Sequence, residues 1–380
     1  MNTINRVAAL AISAMGLVAP SAHAAGPTLF GTIDVGVEHA TGMAGGSQSE
    51  LVSGADYPSE IGVKGNEALG GGDSLFYKLA TGFCGAGAFS PDGKTTSLPS
   101  GGYCTGGGFM GRTSMLGVRG AWGALSGGRF LLPVYTNAAA IDPFHNGGTG
   151  AITNLNRAAS AFNYLRKSQL VEYRTPSLDG LTATLVYGFG DLQGGMNRGS
   201  IRHVSLNYSS GPLYLGASYL TQDYVTAKAL ESGAIPAEAS TTNKIAQVFA
   251  KYDFGPVTVD GMYQTFKSGF PGAVFTPAAG SAAGMDNKFW TVGASVPVGR
   301  GNIGLSYAAT KDSNVANSGA RLYAVGYTYR LSKSTRLYTS ISRISNDAAA
   351  AYGVHDASNT FTATPGADAN GFVVGLRHTF

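Results

Sequence analysis

Apolar and polar residues alternate along most of this chain, in segments of about 8–13 residues bounded by Gly, Pro, Ser and Asn. In the first segment Ile33, Val35 and Val37 share one side, while Thr32 and Asp34 share the other. A period of two is the pattern of a β-strand with two different faces. Sixteen strands are predicted, at residues 29–39, 60–65, 74–83, 112–121, 125–132, 168–175, 181–190, 201–209, 213–224, 244–254, 257–267, 288–296, 302–310, 321–331, 335–346 and 371–380.

The connections between these segments alternate in length. The tight ones include residues 211–213, 255–257, 298–302 and 331–335, and the long ones between them include 226–242, 268–287 and 347–370. Strands joined in this way run up and down, so the short turns lie at one end of the barrel and the long loops at the other, as in transmembrane barrels. A soluble sandwich would not need such regularity.

Composition points the same way. Charged residues are only 13% of the chain, Gly is 56 of 380 residues, and hydrophobic residues are an ordinary 44%. Beyond residue 24 no stretch approaches the roughly 18–20 apolar residues that a spanning helix requires. We therefore predict an all-β fold, a transmembrane antiparallel up-and-down β-barrel of 16 strands over residues 25–380. The alternative is a soluble core lined by the tyrosines that share one side of their strands, such as Tyr323, Tyr327 and Tyr329.

The start of the chain indicates export. Arg6 precedes an apolar run over residues 7–19 and the small-x-small site Ala22-His23-Ala24, the order of a secretory signal peptide, here residues 1–24. Its removal would take one positive charge from a formal net charge of +4, which is too small a balance to indicate a nucleic-acid partner.

Two cysteines, Cys84 and Cys104, lie in a Gly/Ser/Pro-rich segment. Export favours a disulfide that pins a surface loop, because the bacterial periplasm is oxidising. Metal ligation is the alternative, although no CxxC motif or nearby His completes a zinc set.

The last strand has an apolar side that a soluble domain would gain little by exposing. Because hydrocarbon leaves no partner for an open sheet edge, this strand is predicted to close against the first. Its lipid-facing residues and assembly signature are Phe372, Val374, Leu376 and Phe380, with Phe380 in an interfacial aromatic girdle.

Several stretches carry a resemblance to a known family. They are "TLFGTIDVGVEH" at 28–39, "SEIGVKGNEALGGG" at 59–72, "GRTSMLGVRGAWGALSGGRF" at 111–130, "RKSQLVEYRTPSLDGL" at 166–181 and the ending "VGLRHTF". Together they cover the mature chain and resemble the sixteen-stranded general porins of Gram-negative outer membranes, most closely the beta-proteobacterial group. Ala68 stands after Glu67 where this group usually has Asp, which changes a turn charge and not the fold.

The resemblance implies an outer-membrane homotrimer and a third outer loop that folds into the lumen and narrows the pore. That loop would be residues 133–165, the longest non-alternating stretch between two strands. Further partners expected of such a barrel are outer-membrane lipid and lipopolysaccharide, the barrel-assembly machinery, and the small hydrophilic solutes and ions that permeate. No cofactor is expected.

Alternation also sorts the charges by face. Lys64, Lys78, Arg119 and Arg129 are expected on the lumen wall, the last because Phe130 and Leu132 are predicted to point outward. Beyond the loop, outward Val171 and Tyr173 place Glu172 and Arg174 inside.

If the third loop carries Asp142 across from these cations, the pore has a transverse field. A permeating anion would then exchange part of its hydration for the cations without being held tightly. The hypothesis is a passive pore for small hydrophilic solutes with a mild anion preference, with Lys64, Arg129 and Asp142 foremost. The alternative for each charge is simple solvation of a water-filled interior.

Other chemistries find little support. Gly106-x-Gly108-x-x-Gly111 does not open a helix after a strand, so it does not indicate a dinucleotide site. A barrel enzyme would need a nucleophile and a base, but inward-facing Ser205 and His203 lack an orienting acid. A substrate-specific channel for small carboxylates or sugars is the nearer alternative, and a structural or adhesive barrel is a third.

Overall fold

The computed structural model describes residues 25–83, 109–156, 166–190, 196–225, 240–269, 284–355 and 360–380. The strands are β1 (Ala25–Thr41), β2 (Gln48–Ser53), β3 (Glu60–Gly70), β4 (Asp73–Gly82), β5 (Thr113–Gly120), β6 (Gly123–Leu131), β7 (Arg166–Arg174), β8 (Leu181–Gly188), β9 (Ile201–Ser210), β10 (Leu213–Val225), β11 (Ser240–Asp253), β12 (Thr258–Ser268), β13 (Met285–Val298), β14 (Gly301–Asp312), β15 (Ala320–Arg330), β16 (Thr335–Asn346), β17 (Tyr352–His355), β18 (Thr360–Thr362) and β19 (Ala369–Thr379). An α-helix, α1 (Pro133–Ile141), and a 3₁₀ helix (Ile152–Asn154) follow β6. Within the described ranges no helix is long and apolar enough to cross a membrane.

Sixteen of these strands form one closed antiparallel barrel in which each strand pairs with its neighbour in sequence. The barrel closes where β1 pairs with β19, from Thr32 opposite Thr379 to Thr41 opposite Asn370. Beyond the last pair, the amide of Gly31 donates to Phe380 O at 2.9 Å, and the amide of Phe380 donates to Gly31 O at 3.0 Å. The predicted sixteen-stranded barrel, closed first strand to last, is confirmed.

Three strands were not predicted. The short β2 pairs with β1 above β3, so β2 and β3 together form one wall strand that is interrupted over residues 54–59. The strands β17 and β18 form a separate two-stranded sheet within the long connection before β19. The interruption at 54–59 lets the chain leave the wall and enter the lumen, which matters for the site described below.

The two faces of the wall have the expected chemistry. On β13 the side chains of Trp290 and Val292 are exposed on the outside, while Phe289 and Thr291 are buried inside. The ring of Trp290 lies 5.1 Å from that of Tyr307, which in turn lies 5.1 Å from that of Tyr323, so an aromatic row crosses three neighbouring strands. An apolar outer band bordered by aromatic rings is what a lipid bilayer requires of a barrel.

Residues 133–156 fold into the barrel, as predicted for the third loop, but they contain helices that the sequence analysis did not foresee. Pro133 occupies the first turn of α1, where its missing N–H and fixed φ are favourable. The helix packs inside the wall against β9, β10, β11 and β12. Because a loop fills part of the interior, two buried apolar clusters lie inside a barrel whose lumen is otherwise polar.

Candidate pore and its charged lining

Uncharged amide side chains attach the loop to the inner wall. Asn137 of α1 donates to Ser205 Oγ at 3.1 Å, and Gln247 on β11 donates to the backbone oxygen of Val134 at 3.1 Å. Gln247 also donates to Gln264 Oε1, and Gln264 donates to Asn156 Oδ1 at 2.6 Å. Buried amides satisfied in this way fix the position of the loop without adding charge to this half of the lumen.

Three glycines on neighbouring strands leave room for the turn that follows α1. A Cβ atom on Gly293 would lie 2.7 Å from Pro143 Cγ, and one on Gly326 would lie 2.6 Å from Phe144 Cε1. Gly304, on the strand between them, would bring a Cβ to 3.3 Å from Pro143 Cβ. The missing side chains of β13, β14 and β15 therefore form a shallow trough in which Pro143 and Phe144 lie.

Asp142 lies inside the loop and not on its lumen surface. Its carboxylate accepts hydrogen bonds from the amides of Phe144 (3.0 Å), Asn146 (2.9 Å) and Ile152 (3.2 Å), and the residue is 1% exposed. Burial raises the pKa of Asp142 to about 6, against the lowering effect of these donors. Asp142 organises the loop backbone, so the transverse field expected from an exposed Asp142 has no basis in this geometry.

The wall that the loop leaves open carries two lysines side by side. Lys64 on β3 and Lys78 on β4 are direct cross-strand partners on the inner face. Both ammonium groups lie over the ring of Phe30 on β1, at 5.4 Å and 4.9 Å from its centroid. The aromatic face holds the two like charges beside each other and leaves them directed at the aqueous lumen.

Three further predicted residues lie inside, close to the rim with short turns. Arg119 donates to Ser74 Oγ at 3.2 Å and to Asn66 Oδ1 at 2.7 Å. Arg174 forms an ion pair with Glu172 at 3.2 Å. Arg119 and Arg174 line one recess at this rim, so two of the predicted cations lie at an entrance to the pore.

Arg129 is oriented differently from the prediction. Phe130 and Leu132 are buried in an inner apolar cluster with Val134 of the loop, so the outward orientation predicted for these two residues is wrong. Arg129 is the cross-strand partner of Ser114, which shares the outer face with Leu116, and its guanidinium donates to Gly111 O at 2.6 Å and to Ser168 Oγ at 2.9 Å. Arg129 therefore does not face the lumen with Lys64, Lys78 and Arg119. The prediction failed here because it assigned apolar side chains to the lipid face, whereas the loop makes this part of the interior apolar.

A second group of cations was missed. Arg336 on β16 and Arg377 on β19 are cross-strand partners on the inner face, and both bind the carboxylate of Asp56. The Arg336 Nε to Asp56 Oδ2 distance is 2.9 Å, and the Arg377 Nη1 to Asp56 Oδ2 distance is 3.0 Å. The alternation of β16 and β19 places both arginines inside, but no local pattern shows that residues 54–59 enter the lumen and supply their anion.

Next to this group, a cavity of about 550 Å³ lies between the loop and the wall, towards the short-turn rim. Its lining includes Lys251, Arg336 and Arg377 together with Asp56 and Asp260. Lys251 donates to the backbone oxygen of Ala140 at 2.6 Å, so one cation of the lining is already used to hold α1.

The pair considered for catalysis does not form a catalytic arrangement. His203 and Ser205 are buried on the inner face of β9, and neither ring nitrogen of His203 has a hydrogen-bond partner among the described residues. The hydroxyl of Ser205 donates instead to Asn207 Oδ1 at 2.8 Å.

The remaining predicted residues fall at the end of the chain or outside the described ranges. Phe372, Val374 and Leu376 are 40%, 43% and 45% exposed on the outer face, and Phe380 lies at the short-turn rim, where the amide of Thr379 donates to Ser334 O. Cys84, Cys104 and the signal peptide 1–24 lie outside the described residues.

A closed antiparallel barrel with an apolar outer wall, an inserted loop and cations along a polar lumen defines an outer-membrane channel. The chain belongs to the Gram-negative porin family, whose model matches residues 8–349. It is 28% identical to outer membrane porin protein 32 of Delftia acidovorans, over 93% of each chain, and 27% identical to an outer membrane porin of Bordetella pertussis, over 93% of this chain and 94% of that one. The structure of an anion-selective porin from Comamonas acidovorans matches with 26% identity and a TM-score of 0.76, over 93% of this chain and 99% of that one.

Proposed function

We propose that this porin is a passive diffusion channel for small hydrophilic solutes and ions, with a mild preference for anions. The observation that carries the proposal is the Lys64–Lys78 pair, which faces the open lumen beside Phe30 with no ion pair to a described carboxylate. Two described carboxylates beside the lumen are occupied, since Asp142 is enclosed by backbone amides and Asp56 by two arginines. The lumen is therefore asymmetric in charge, and an anion gains more than a cation by entering it.

The anion-selective relative from Comamonas acidovorans supports the sign of this preference. Release remains easy because the lumen cations are spread along the wall and hold hydrated solutes weakly. No catalytic role is proposed, since His203 and Ser205 are used in wall and loop packing.

The test is a planar-bilayer recording of the refolded protein in a KCl gradient. We expect passive, non-saturating currents and a reversal potential that shows chloride to be more permeant than potassium. A potassium preference would refute the selectivity assignment and leave the channel in place. The absence of any conductance would refute the channel itself.

A substrate-specific channel for small carboxylates is the second candidate, and the cavity beside Arg336 and Arg377 favours it. In that case the conductance would saturate with one carboxylate at low concentration, and that solute would block chloride current. Linear currents for a series of small carboxylates and sugars would leave the general pore as the function.

We also propose that the protein is a homotrimer whose contact includes the outer face around β1 and β19. The outward residues there include Ile33, Val37, Phe372 and Val374, and neither strand has a Lys or Arg on that face. Chemical cross-linking in detergent would show a trimer as the limiting species. Outer-membrane lipid, lipopolysaccharide and, through the strand that ends at Phe380, the barrel-assembly machinery are the other proposed partners.

A further inference from the structure

One buried carboxylate of the barrel wall has no part in the pore described above. Asp34 lies on the inner face of β1, is 0% exposed, and is the direct cross-strand partner of Arg377 on β19. Its carboxylate nevertheless forms no ion pair with any described residue, whereas Arg377 pairs with Asp56 from residues 54–59. A buried charge requires polar partners, so the carboxylate nearer to Arg377 on the sheet has another use.

Asp34 binds residues 54–59, the segment that leaves the wall between β2 and β3. Its carboxylate accepts a hydrogen bond from the backbone amide of Tyr57 at 3.0 Å, and its backbone oxygen accepts one from the amide of Gly54 at 3.0 Å. The hydroxyl of Ser59 accepts from the Asp34 amide at 3.0 Å and donates to the Asp34 backbone oxygen at 3.2 Å. Both ends and the middle of the segment are therefore attached to one residue of β1.

The second carboxylate oxygen of Asp34 is held by Tyr338 of β16. The hydroxyl of Tyr338 donates to Asp34 Oδ1 at 2.7 Å. The phenol reaches across β19 to β1 because Gly36 and Gly375 have no side chains, since a Cβ atom at these positions would lie 2.8 Å and 2.2 Å from the Tyr338 hydroxyl oxygen. One oxygen of the carboxylate is thus fixed by the wall, and the other is directed at the segment.

The bond to Tyr57 determines where two side chains of the segment lie. Asp56 comes immediately before Tyr57, and its carboxylate accepts hydrogen bonds from Arg336 and Arg377. The ring of Tyr57 lies against the guanidinium of Arg377, with 4.8 Å between the ring centroid and Cζ. Without the acceptor on Asp34, the amide of Tyr57 would turn to water, and the segment would carry Asp56 away from the arginines.

We propose that Asp34 is a positioning residue for the ion preference of the pore. It holds residues 54–59 in place, and Asp56 of that segment then neutralises part of the charge of the two arginines. Asp34 itself is enclosed and touches no permeating ion. Its loss acts through Asp56, because guanidinium groups without their counter-charge attract anions more strongly. The inference rests on the proposed anion-preferring channel and names a residue that sets the size of that preference.

The charge of Asp34 could also act directly on ions, and two substitutions separate this effect from positioning. Asn has the shape of Asp without its charge. Its amide oxygen can accept from Tyr57, and its amino group can donate to Tyr338, because a hydroxyl is both donor and acceptor. Ala has neither group. Asp34→Asn and Asp34→Ala therefore remove the same charge, and only Asp34→Ala removes the bond to the segment.

The experiment compares these two variants in the wild-type background and together with Asp56→Asn. Reversal potentials of the refolded channels are recorded in a KCl gradient at low salt, where the field of the wall is least screened. We expect the chloride-to-potassium permeability ratio of Asp34→Ala to be roughly twofold above that of Asp34→Asn. In the Asp56→Asn background the two variants should have the same ratio, since the carboxylate that Asp34 positions is gone.

Equal ratios for Asp34→Ala and Asp34→Asn in the wild-type background would overturn the proposal, even if Asp34→Ala were less stable to heat. So would a difference that persists undiminished alongside Asp56→Asn, because Asp34 would then act on another part of the pore. Heat-modifiable gel mobility verifies folding. If Asp34→Ala does not fold, Asp34→Ser replaces it in the same comparison, because its side chain is one bond shorter and does not reach the amide of Tyr57.

The wild-type recording separates this inference from the proposed function. A wild type that prefers potassium would refute the anion preference, and the difference between the two Asp34 variants would still decide whether Asp34 positions Asp56. Equal ratios for the two variants beside a chloride-selective wild type would refute the role of Asp34 alone.

Discussion

Arg336 and Arg377 lie directly opposite each other on β16 and β19, and both donate to one carboxylate oxygen of Asp56. Two cations and one anion leave a net positive charge on the wall beside the third loop. Asp56 reaches this position because the chain leaves the wall between β2 and β3. The backbone of the same segment also contacts the loop, since Gly148 donates its amide hydrogen to Ala55 O.

Replacing Asp56 with Asn should therefore strengthen the anion preference. The substitution keeps the size of the side chain and leaves both guanidinium groups without their counter-charge. We expect a larger chloride-to-potassium permeability ratio and a loss of roughly 2 kcal/mol in stability, because hydrogen bonds to a charged group are removed. The measurements are the reversal potential and the temperature at which the folded band disappears on a gel. Glu67→Gln, an equal charge change on the outer face, is the control, and a lower ratio for Asp56→Asn would contradict the prediction.

Lys64 and Lys78 should set the sign of selectivity. We expect Lys64→Glu with Lys78→Glu to reverse the preference, because the carboxylates would face the same lumen from the same paired positions. Single-channel reversal potentials at low and high salt provide the check, and the effect should shrink at high salt as screening increases. An unchanged potential at low salt would show that the permeation path avoids this wall.

The glycine trough should determine where the loop lies. Gly326→Ala places a methyl group in the space of the Phe144 ring, so the turn must shift at a cost of about 1–3 kcal/mol. We expect altered conductance and noisier single-channel currents. Gly45→Ala is the matched control, since nothing lies within 4 Å of a Cβ at that position. Identical traces for the two variants would mean that the trough does not hold the loop.

Asp142 should make loop docking depend on pH. Its pKa rises from an ordinary 3.8 to about 6 when the loop is docked, so the docked loop binds a proton more readily than an undocked loop. This contribution is fully present below about pH 4 and is lost as pH rises through about 6, with a ceiling of roughly 3 kcal/mol. Current fluctuations should therefore increase between pH 4 and pH 7.

Asp142→Asn should flatten that pH profile, because the amide does not titrate. His145→Gln is the comparison, since the field of His145 also acts on Asp142. If the Asn variant kept the wild-type profile, Asp142 would not be the group responsible for it.

The sequence predicted the barrel well because the membrane imposes a simple rule on each strand. Lipid on one side and water on the other produce the alternation of β13, and backbone pairing in hydrocarbon requires β1 and β19 to meet. The same rule oriented Lys64, Lys78 and Arg119. It depends on a polar interior, and it failed at Phe130 and Leu132, where the loop replaces water with apolar side chains.

Long-range contacts were beyond the reach of local patterns. Asp142 was expected on the lumen surface, but three amides up to ten residues away enclose it. Asp56 binds Arg336, which lies 280 residues later in the chain, and Arg377, which lies 321 residues later. Nothing near either carboxylate in the sequence shows whether it stabilises the fold or faces the permeating ions.

The uncharged amides that hold the loop against β9 to β12 have a consequence for solutes that carry separated charges. Lys64 and Lys78 lie on the open wall, whereas Gln247, Gln264 and Asn156 provide no comparable field on the side of the loop. A zwitterion in the lumen should therefore turn its carboxylate towards β3 and β4 and cross the membrane in a preferred orientation. Two stereoisomers of such a solute would then present different side groups to the loop and pass at different rates.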